Sequence, residues 1–557
     1  MSTVNNQQWS SQPGDRKDDV KVLVASTVGT LFEWYDFFLY GSLAVVISKQ
    51  FFSEVPESTA FIFSLLTFGV GFAFRPLGAL IFGRLGDTIG RKYTFLMTLI
   101  LMGGSTFAVG LLPNYASWGM TAPVILIILR ILQGIGIGGE YGGAAVFVAE
   151  HAPANKRGAY TSWIQTTGAA GALLTLVVLL TCRKMFGDAF DVWAWRIPFL
   201  LSGLMMVISL YVRLSIKESP LFLAMKAEGR TSKAPIKEAF GQWRNLRVVL
   251  IALFGLVTGS TTVLYTAQVY SLFFLSHTLR VDAQSASLYV AIVLAVSLPL
   301  FWVFGSLSDR IGRKKIMLTG CLLGAVTFIP IFHGITHYAN PALEAATNSA
   351  PVTVIAPRDE CTTQFHLMAS NEPVSQCNAV KALLAKNGIP YSNHDAPPNN
   401  STEVLIGSQT VSGAQLQTLI TVLQDSGYRD RADPSQINTP MLLLMLLIPC
   451  IYLAMVYAPL AAALVEMFPA KIRYTALSFP YHLGNGLIGG FFPATAFAIV
   501  AATGNIYAGL WYPILFAALS VVVGGIFLRD NAAAKFTENG SRQIAPSSCR
   551  ASPDSVN

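Results

Sequence analysis

The sequence predicts an all-α membrane protein of twelve transmembrane helices in two related six-helix halves, with a small extracytoplasmic α/β insertion. Three observations predict it: the composition, twelve apolar stretches and a motif that occurs twice. Of 557 residues, 53% are hydrophobic and 12% are charged, whereas about a quarter are charged in an ordinary soluble domain. A soluble domain of this size would lack the charged surface that keeps it in solution.

The apolar stretches are each near the roughly 20 residues that a helix needs to cross about 30 Å of hydrocarbon. They lack the alternating polarity, over about ten residues, that is typical of barrel strands. The predicted spans are residues 22–47, 59–82, 93–112, 121–149, 159–182, 194–215, 247–277, 285–306, 316–336, 439–466, 475–502 and 507–528.

The repeated motif divides the chain into halves. GRLGDTIGRK at 83–92 returns 222 residues later as GSLSDRIGRK at 305–314, and E-x-x-P-x-x-x-R follows each copy, at 150–157 and 466–473. Charged, glycine-rich turns at corresponding places between apolar runs are typical of secondary transporters built from repeats. The predicted gating residues are Gly83, Asp87, Gly90, Arg91, Gly305, Asp309, Gly312 and Arg313.

Basic residues set the predicted orientation. Most of the 38 Lys and Arg residues fall on the side of the N-terminus, which predicts both termini in the cytoplasm and a multi-pass protein of the cytoplasmic (inner) membrane. The net charge of +8 then reflects this bias and gives no reason to expect nucleic acid binding. The first span follows no small-residue cleavage site, so we expect a retained helix.

The second half carries an insertion. Asp87 and Arg157 are 70 residues apart, but Asp309 and Arg473 are 164 apart, and the excess of 94 falls in the polar segment 337–438. Patterns within it predict strands at 352–356 and 404–406 and helices at 378–386 and 415–424. The predicted segments are a cytoplasmic tail (1–21), a six-helix bundle (22–215), a cytoplasmic linker (216–246), the first part of the second bundle (247–336), a periplasmic insertion domain (337–438), the rest of that bundle (439–528) and a cytoplasmic tail (529–557).

Two cysteines lie together in the insertion. Cys361 and Cys377 are disulfide candidates in an oxidising compartment, and a bridge there would contribute about 3 kcal/mol of stability. Unpaired thiols or other partners are the alternative, because connectivity cannot be deduced from sequence.

Acidic residues inside the first span are candidates for proton coupling. Glu33 and Asp36 are three residues apart and share a helix face. A carboxylate in a membrane span is costly unless it is paired, protonated or in a water-filled cavity, and desolvation favours the protonated form that a proton carrier needs. The alternative is an ion pair that only holds helices together.

Arg75, Arg130 and Arg196 lie within the predicted spans. Arg75 and Arg130 cannot lose their charge and must meet an acid, backbone carbonyls or an anionic substrate, and a guanidinium suits a carboxylate. We expect Arg75 to bind substrate and Arg130 to serve structure and coupling, with salt bridges to Glu33, Asp36 or Glu140 as the alternative. Arg196 lies at a span end and is expected to reach the membrane interface.

Other motifs predict no further chemistry. The G-x-G-x-x-G spacing at 134–139 lies inside an apolar helix, where glycines let helices approach closely rather than bind a dinucleotide. No Walker sequence, metal spacing or cofactor site is found in the sequence, so we expect a gradient to drive any transport. Further polar residues that are candidates to line a cavity are Tyr265, Gln268, Tyr270, Gln165 and Asn485. Of the histidines, His333 and His482 are expected inside the membrane, as packed neutral side chains rather than metal ligands.

The doubled motif resembles the loop signature of the major facilitator superfamily. The stretches FEWYDFFLYG (32–41), RILQG…GGE (130–140), ESPLF (218–222) and FPAKIRYT (468–475) resemble its metabolite:proton symporter branch. The resemblance implies alternating access with substrate near the midplane, and carriage of 2-oxoglutarate and other carboxylates, shikimate-like acids, or proline and betaine together with protons. The predicted substrate-binding residues are Arg75, Arg130, Gln133, Tyr265 and Gln268.

Three functions are weighed. The membrane arginines favour a proton-coupled importer of a small organic acid, of the 2-oxoglutarate or dicarboxylate type. The second is a proton-coupled proline/betaine-type osmolyte symporter, against which the tail 531–557 lacks the sustained heptads of a coiled coil. The third is a nutrient receptor that has lost transport, against which Glu33, Asp36 and both motifs argue. Expected partners are the substrate, protons and the lipid bilayer, while any partner of the insertion stays open.

Overall fold

The computed structural model describes residues 16–54, 67, 69–153, 155–214, 218–357, 361, 375–397 and 400–528. Part of the second predicted span (59–66 and 68), most of the predicted N-terminal tail (1–15) and the whole predicted C-terminal tail (529–557) lie outside the described residues.

Long helices joined by short turns make up the N-terminal half. Proline begins several of them, as at Pro76 in the first turn of α3, where the missing N–H has no intrahelical partner to lose. The helices are α1 Arg16–Ser42, α2 Ala44–Phe51, α3 Arg75–Thr88, α4 Arg91–Leu111, α5 Tyr115–Trp118, α6 Thr121–His151, α7 Arg157–Phe186, α8 Arg196–Leu214 and, in the linker, α9 Pro220–Ala227 and α10 Pro235–Phe240.

In the C-terminal half, two spans contain π-helical turns, which are frequent at functional sites. They are Leu253–Val257, Thr266–Tyr270 and Phe274–Thr278 in the seventh predicted span and Gly484–Gly489 in the eleventh. The α-helices of this half are α11 Trp243–Ala252, α12 Thr258–Tyr265, α13 Ser271–Phe273, α14 Ala283–Ile311, α15 Arg313–Ala339, α16 Pro341–Ser349, α17 Gln376–Lys386, α18 Leu416–Asp425, α19 Thr439–Tyr457, α20 Leu460–Met467, α21 Arg473–Leu483, α22 Phe492–Thr503 and α23 Trp511–Phe527.

Ten helical segments in the described part of the chain are long and apolar enough to span a membrane. They match the third to twelfth predicted spans. The first predicted span is also helical, as α1.

The two halves pack against each other through two equivalent helix pairs. Helix α3 of the first half packs on α21 of the second, and α14 of the second packs on α7 of the first. Each motif copy is therefore carried on a helix that contacts the opposite half.

The insertion contains a four-stranded sheet. Its strands are β1 Val352–Pro357, β2 Ser392–Ala396, β3 Glu403–Ile406 and β4 Gln409–Ser412, in the order β2-β1-β3-β4. β1 pairs in parallel with β2 and antiparallel with β3, which forms a hairpin with β4. The sequence predicts β1, β3, α17 and α18 but misses β2 and β4, because the polar SNHDA and QTVS segments lack the apolar pattern of a strand.

Hydrogen bonds join the insertion to loops of the C-terminal half. Tyr391 N–H donates to the Gly504 carbonyl at 3.0 Å, and Arg280 Nε donates to the Asp430 carbonyl at 2.9 Å. These loops follow the two spans that contain π-helical turns.

A disulfide joins Cys361 to Cys377 in the structure. Their Cα atoms lie 5.4 Å apart, and the residues are separated by 16 positions. The bridge ties the start of α17 to the chain that follows β1.

Candidate functional site

Asp87 of the first motif copy caps a helix of the other half. Its Oδ1 accepts a hydrogen bond from Tyr474 N–H at 3.2 Å, and its Oδ2 accepts from Thr475 N–H at 2.9 Å and Oγ1 at 2.8 Å. Both residues lie in the first turn of α21, where backbone N–H groups have no intrahelical partner and the helix dipole favours a negative charge. Asp87 therefore joins the halves at the face that carries the motifs, here called the motif face.

Asp309 of the second copy makes the equivalent contact in the opposite direction. Its two carboxylate oxygens accept from Gly158 N–H at 2.8 Å and Ala159 N–H at 2.9 Å, in the first turn of α7. The motif face is thus closed by two contacts related by the internal repeat.

An ion cluster surrounds the first contact. Glu150 forms ion pairs with Arg473 (Oε1 to Nη1, 2.9 Å) and with Arg91 (Oε2 to Nε, 3.5 Å). Arg91 Nη2 also donates a hydrogen bond to the Ala470 carbonyl at 2.9 Å. All three charged side chains are almost fully buried. Since Arg91 belongs to the first half and Arg473 to the second, Glu150 bridges the two halves.

A matching cluster surrounds the second contact. Glu466 Oε1 forms ion pairs with Arg313 Nη2 at 2.8 Å and with Arg157 Nη1 at 4.0 Å. Arg313 Nη2 also pairs with Asp309 Oδ1 at 3.1 Å. The Glu and Arg of both E-x-x-P-x-x-x-R segments therefore belong to the motif-face contacts.

The motif glycines are required by the backbone. A Cβ on Gly83 would lie 2.8 Å from Thr475 Cα, so glycine allows α3 and α21 to cross in contact. Gly90 and Gly312 have φ of 144° and 101° at the turns that begin α4 and α15, where a side chain would be strained.

Glu218 contacts the motif-face cluster, and sequence reasoning gave it no role. Its carboxylate accepts from the backbone N–H groups of Arg91 at 3.1 Å and Lys92 at 3.1 Å, which caps α4. The following Ser219 donates to Glu150. The ESPLF segment therefore connects the linker to the motif-face cluster.

The linker also contacts the second half. Glu238 on α10 receives Lys471 Nζ at 2.6 Å. Burial raises the pKa of Glu238, but hydrogen bonds from Lys471 and Ser232 outweigh it, and the pKa is lowered. Glu238 therefore stays negatively charged near neutral pH and keeps its ion pair with Lys471.

A small cavity lies between the halves, and none of its lining residues belongs to the motif face. Residues of α1, α3 and α6 line it from the first half, and residues of α21 and its π-helical turn line it from the second. The lining residues are Thr30, Glu33, Trp34, Phe37, Arg75, Ile137, Tyr141, Tyr481, His482 and Asn485.

Arg75 is the cation that lines this cavity. Its side chain is 4% exposed, and its guanidinium lies 4.5 Å from the Phe37 ring centroid and 4.4 Å from that of Phe72. Within the described residues it forms no ion pair within 4.0 Å, and its Nε has no hydrogen bond. Glu33 acts on it electrostatically without a direct bridge, so the predicted salt bridge of Arg75 to Glu33 or Asp36 is absent here.

Glu33 lines the same cavity, and its Oε2 accepts no hydrogen bond from the residues that the structure describes. The charged groups that act most strongly on Glu33 are Glu140 and Arg213. These two form a buried ion pair with each other. Thr98 Oγ1 also donates to Glu140 at 2.8 Å. Sequence reasoning missed Arg213, because it lies at the end of an apolar stretch, where an arginine that reaches the interface is ordinary.

Asp36 belongs to a different network, away from the cavity lining. The hydroxyls of Thr106 and Ser202 interact with it, and Thr106 accepts a hydrogen bond from Gln133 Nε2 at 2.8 Å. Gln133 in turn accepts from Arg130, whose guanidinium lies 4.0 Å from the Tyr40 ring centroid. Arg130 and Gln133, both predicted substrate-binding residues, therefore do not line the cavity, and the ion pair of Glu140 is with Arg213.

Aromatic residues close the cavity toward the motif face. The rings of Tyr141 and Tyr481 stack across the halves with centroids 3.4 Å apart. Tyr481 and Tyr457 hydroxyls are 2.6 Å apart, and Gln165 donates to the Tyr141 hydroxyl at 2.7 Å. On the opposite side, Phe72 packs on the π-helical turn at Gly486 and Gly490, so the halves contact each other on both sides of the cavity.

The remaining predicted residues lie near the cavity or away from it. Tyr265 interacts with Arg75 and donates to the Asn485 carbonyl at 3.4 Å, while the half-buried Gln268 lies outside the lining. Arg196 stacks on Trp195 at 4.5 Å. Within the described ranges, no group of three or more His, Cys, Asp or Glu residues is arranged to hold a metal ion.

Sequence comparison identifies the family. A family profile described as "Sugar (and other) transporter" matches residues 21–241. An inner membrane metabolite transport protein of Escherichia coli (strain K12) is 36% identical over 334 residues, 58% of this chain and 74% of that protein. The shikimate transporter of the same organism is 34% identical over 322 residues, 56% and 72% of the two chains. The chain belongs to the major facilitator superfamily.

Other comparisons with superfamily members agree. The proline/betaine transporter of Escherichia coli (strain K12) is 36% identical over 323 residues, 56% of this chain, and the chain spans 64% of the length of that relative. The solved structure of the proton:xylose symporter XylE bound to 6-bromo-6-deoxy-D-glucose has a TM-score of 0.62 at 17% identity, covering 92% of this chain and 96% of XylE. At that identity the likeness shows the major facilitator fold.

Proposed function

We propose that the protein is a proton-coupled symporter for a small zwitterion with one carboxylate, of the proline/betaine type. The observation that carries this proposal is the pair of opposite charges in the central cavity. Arg75 and Glu33 both line it, and neither charge is neutralised by an ion pair within 4.0 Å among the described residues. The sequence favours an organic acid over an osmolyte, and the proline/betaine relatives support the reverse order.

The cavity chemistry fits a zwitterion. A guanidinium binds a carboxylate through paired hydrogen bonds, and aromatic faces attract an ammonium group. Trp34, Phe37 and Tyr481 supply such faces beside Arg75 and Glu33. A dicarboxylate would bring a second negative charge that no other cation of the lining meets, since Arg130 is held by Gln133 and Tyr40.

Proton coupling is assigned to Glu33 and Asp36. Both are at least 93% buried in α1, and Glu33 lies in the substrate cavity. Because Glu33 and Arg75 line one cavity, a proton on Glu33 would change the charge that a bound substrate meets, which links protonation to substrate binding. XylE, a structural neighbour, is itself a proton symporter, which supports this assignment by analogy.

The finer architecture is part of the proposal. We infer twelve spans with α1 and the second predicted span completing the ten, both termini in the cytoplasm of the inner membrane, and segment boundaries as predicted above. The segment 337–438 is then a periplasmic α/β domain and the motif face is cytoplasmic. The basic residues of that face and the contacts at Asp87 and Asp309 support this orientation.

A shikimate-like organic acid is the second candidate. The shikimate transporter is 34% identical to this chain, and one carboxylate with neutral hydroxyls would also suit a single guanidinium. A receptor that has lost transport is the least supported, because the motif-face contacts that close one side are all present.

Uptake into proteoliposomes tests the proposal. Purified protein is reconstituted and given labelled proline, glycine betaine, shikimate or 2-oxoglutarate under an imposed proton gradient, with an uncoupler as control. We expect uncoupler-sensitive accumulation of proline or betaine. Accumulation of 2-oxoglutarate instead would restore the dicarboxylate assignment, and binding without counterflow of any solute would support the receptor.

A further inference from the structure

His482 is a buried polar residue of the cavity that the interactions described above leave without a partner. Its side chain lines the cavity from the second half and is 1% exposed. Neither Nδ1 nor Nε2 has a hydrogen-bond partner in the part of the chain that the structure describes. Buried polar side chains are nearly always hydrogen-bonded, and an exception requires an explanation.

Packing fixes the imidazole in place. Tyr481 lies edge-on to the ring, with centroids 5.0 Å apart and an interplanar angle of 89°, and Tyr141 does the same at 6.4 Å and 88°. The ring is therefore held by its neighbours while its nitrogens stay available. A neutral imidazole presents one donor and one acceptor.

The other polar side chains with which the second half lines the cavity, Tyr481 and Asn485, are already hydrogen-bonded. Asn485 Nδ2 donates to the Tyr481 carbonyl at 3.0 Å, and its Oδ1 accepts from Tyr457 at 3.3 Å. The charges of the cavity, on Arg75 and Glu33, both come from the first half. His482 is thus the side chain of the second half that is placed to hydrogen-bond a bound molecule.

We propose that His482 accepts a hydrogen bond from an N–H of the transported zwitterion and so selects secondary ammonium groups over quaternary ones. The inference rests on the proposed function, in which Arg75 holds the carboxylate. A proline-type ammonium carries N–H groups that an imidazole nitrogen accepts, whereas a fully methylated ammonium has none and depends on the aromatic faces.

The test compares two ligands that differ only at nitrogen. Equilibrium binding of L-proline and N,N-dimethylproline is measured on the purified full-length protein, on His482→Phe and on His482→Gln. The phenyl ring keeps the packing against the tyrosines but removes both nitrogens, so the affinity for proline should fall by about ten- to a hundredfold, as for a lost hydrogen bond to a charged group. Affinity for N,N-dimethylproline should stay within about threefold, since that ligand makes no such bond.

Controls separate this role from packing and from failure of the proposed function. The ratio of the two affinities is read within each variant, so a smaller folded fraction cancels. His482→Gln keeps a donor and an acceptor and should retain most of the wild-type ratio, and His333→Phe, exposed and stacked on Tyr507 at 3.8 Å, should leave it unchanged. An unchanged ratio in His482→Phe overturns the inference, whereas a wild-type protein that binds neither ligand overturns the proposed function.

Discussion

At the scale of single residues, we propose that substrate binding depends on Arg75. A buried guanidinium without a direct acid is costly, and here the Phe37 and Phe72 rings lie against it. Arg75→Lys keeps the charge but loses the forked geometry. We expect a loss of about 1.5 to 3 kcal/mol, roughly ten- to a hundredfold in affinity, in equilibrium binding of proline by the purified variant.

The control for Arg75→Lys is Arg196→Lys, because Arg196 lies outside the cavity, against Trp195. The Arg196→Lys variant should bind proline with wild-type affinity. Protein level and thermal stability are measured in parallel. Near-wild-type affinity of Arg75→Lys would mean that the anchor is elsewhere, with Arg130 the next residue to test.

Glu33 and Asp36 belong to separate networks, although they are one helical turn apart. Neutralising both, as Glu33→Gln with Asp36→Asn, should abolish accumulation driven by a proton gradient, because neither position then carries a titratable proton. Exchange of substrate between the two sides needs no net proton movement and should persist. Uptake and counterflow in proteoliposomes measure the two, and uncoupler-sensitive accumulation by the double variant would contradict the assignment.

The single variants should differ, since Glu33 lines the cavity and Asp36 interacts with Thr106 and Ser202. We expect Glu33→Gln to change proline affinity more than Asp36→Asn does. Equal effects would indicate one shared network.

At the scale of elements, the two aspartates act as caps on helices of the opposite half. Asp87→Asn removes the charge that holds the first turn of α21 and keeps the side-chain shape. The closed motif face should become less stable by about 0.5 to 2 kcal/mol, as for a lost helix cap. We expect the transport rate to fall several-fold more than equilibrium binding, because the cap is far from the cavity residues.

Asp309→Asn should reproduce the effect of Asp87→Asn, since Asp309 caps α7 through the same two-N–H contact. Asp282→Asn is the matched control: Asp282 caps α14 within its own half and should not slow the cycle. If Asp87→Asn lowers binding as much as rate, the gate assignment is wrong.

At the scale of the whole molecule, the insertion is attached at neighbouring points of one half. Asn438 N–H donates to the Tyr338 carbonyl at 2.9 Å, so the chain leaves and returns at the same place. Replacing 339–437 by a short Gly/Ser linker should therefore leave proline affinity within about threefold, because a short flexible linker can join ends that lie together at a small entropic cost. Binding by the purified variant checks this, and complete loss of binding in folded protein would place the insertion in the substrate path.

The halves touch on both sides of the cavity, at the Tyr141 and Tyr481 stack and at Phe72 against the π-helical turn. Alternating access requires that one set of contacts break while the other holds. We propose that the charged contacts at the motif face and the apolar contact at Phe72 are the two sets of contacts that form and break in turn.

The sequence by itself determined the repeat, the apolar spans and the motif residues. It did so because a bilayer requires long apolar helices and because the motif spacing is local to one turn. The elements of the insertion with clear apolar periodicity, β1, β3, α17 and α18, were equally readable, whereas the polar β2 depends on pairing with β1.

Only the tertiary structure decided which polar residues meet. Arg75, Glu33 and His482 lie on three helices of two halves, and no spacing relates them. Arg130, like Arg75, is an arginine inside a predicted span, but it contacts Gln133 and Tyr40 and does not line the cavity. Glu140 forms its ion pair with Arg213 and not with Arg75 or Arg130. A buried charge takes its role from the groups packed around it, and those come from distant parts of the chain.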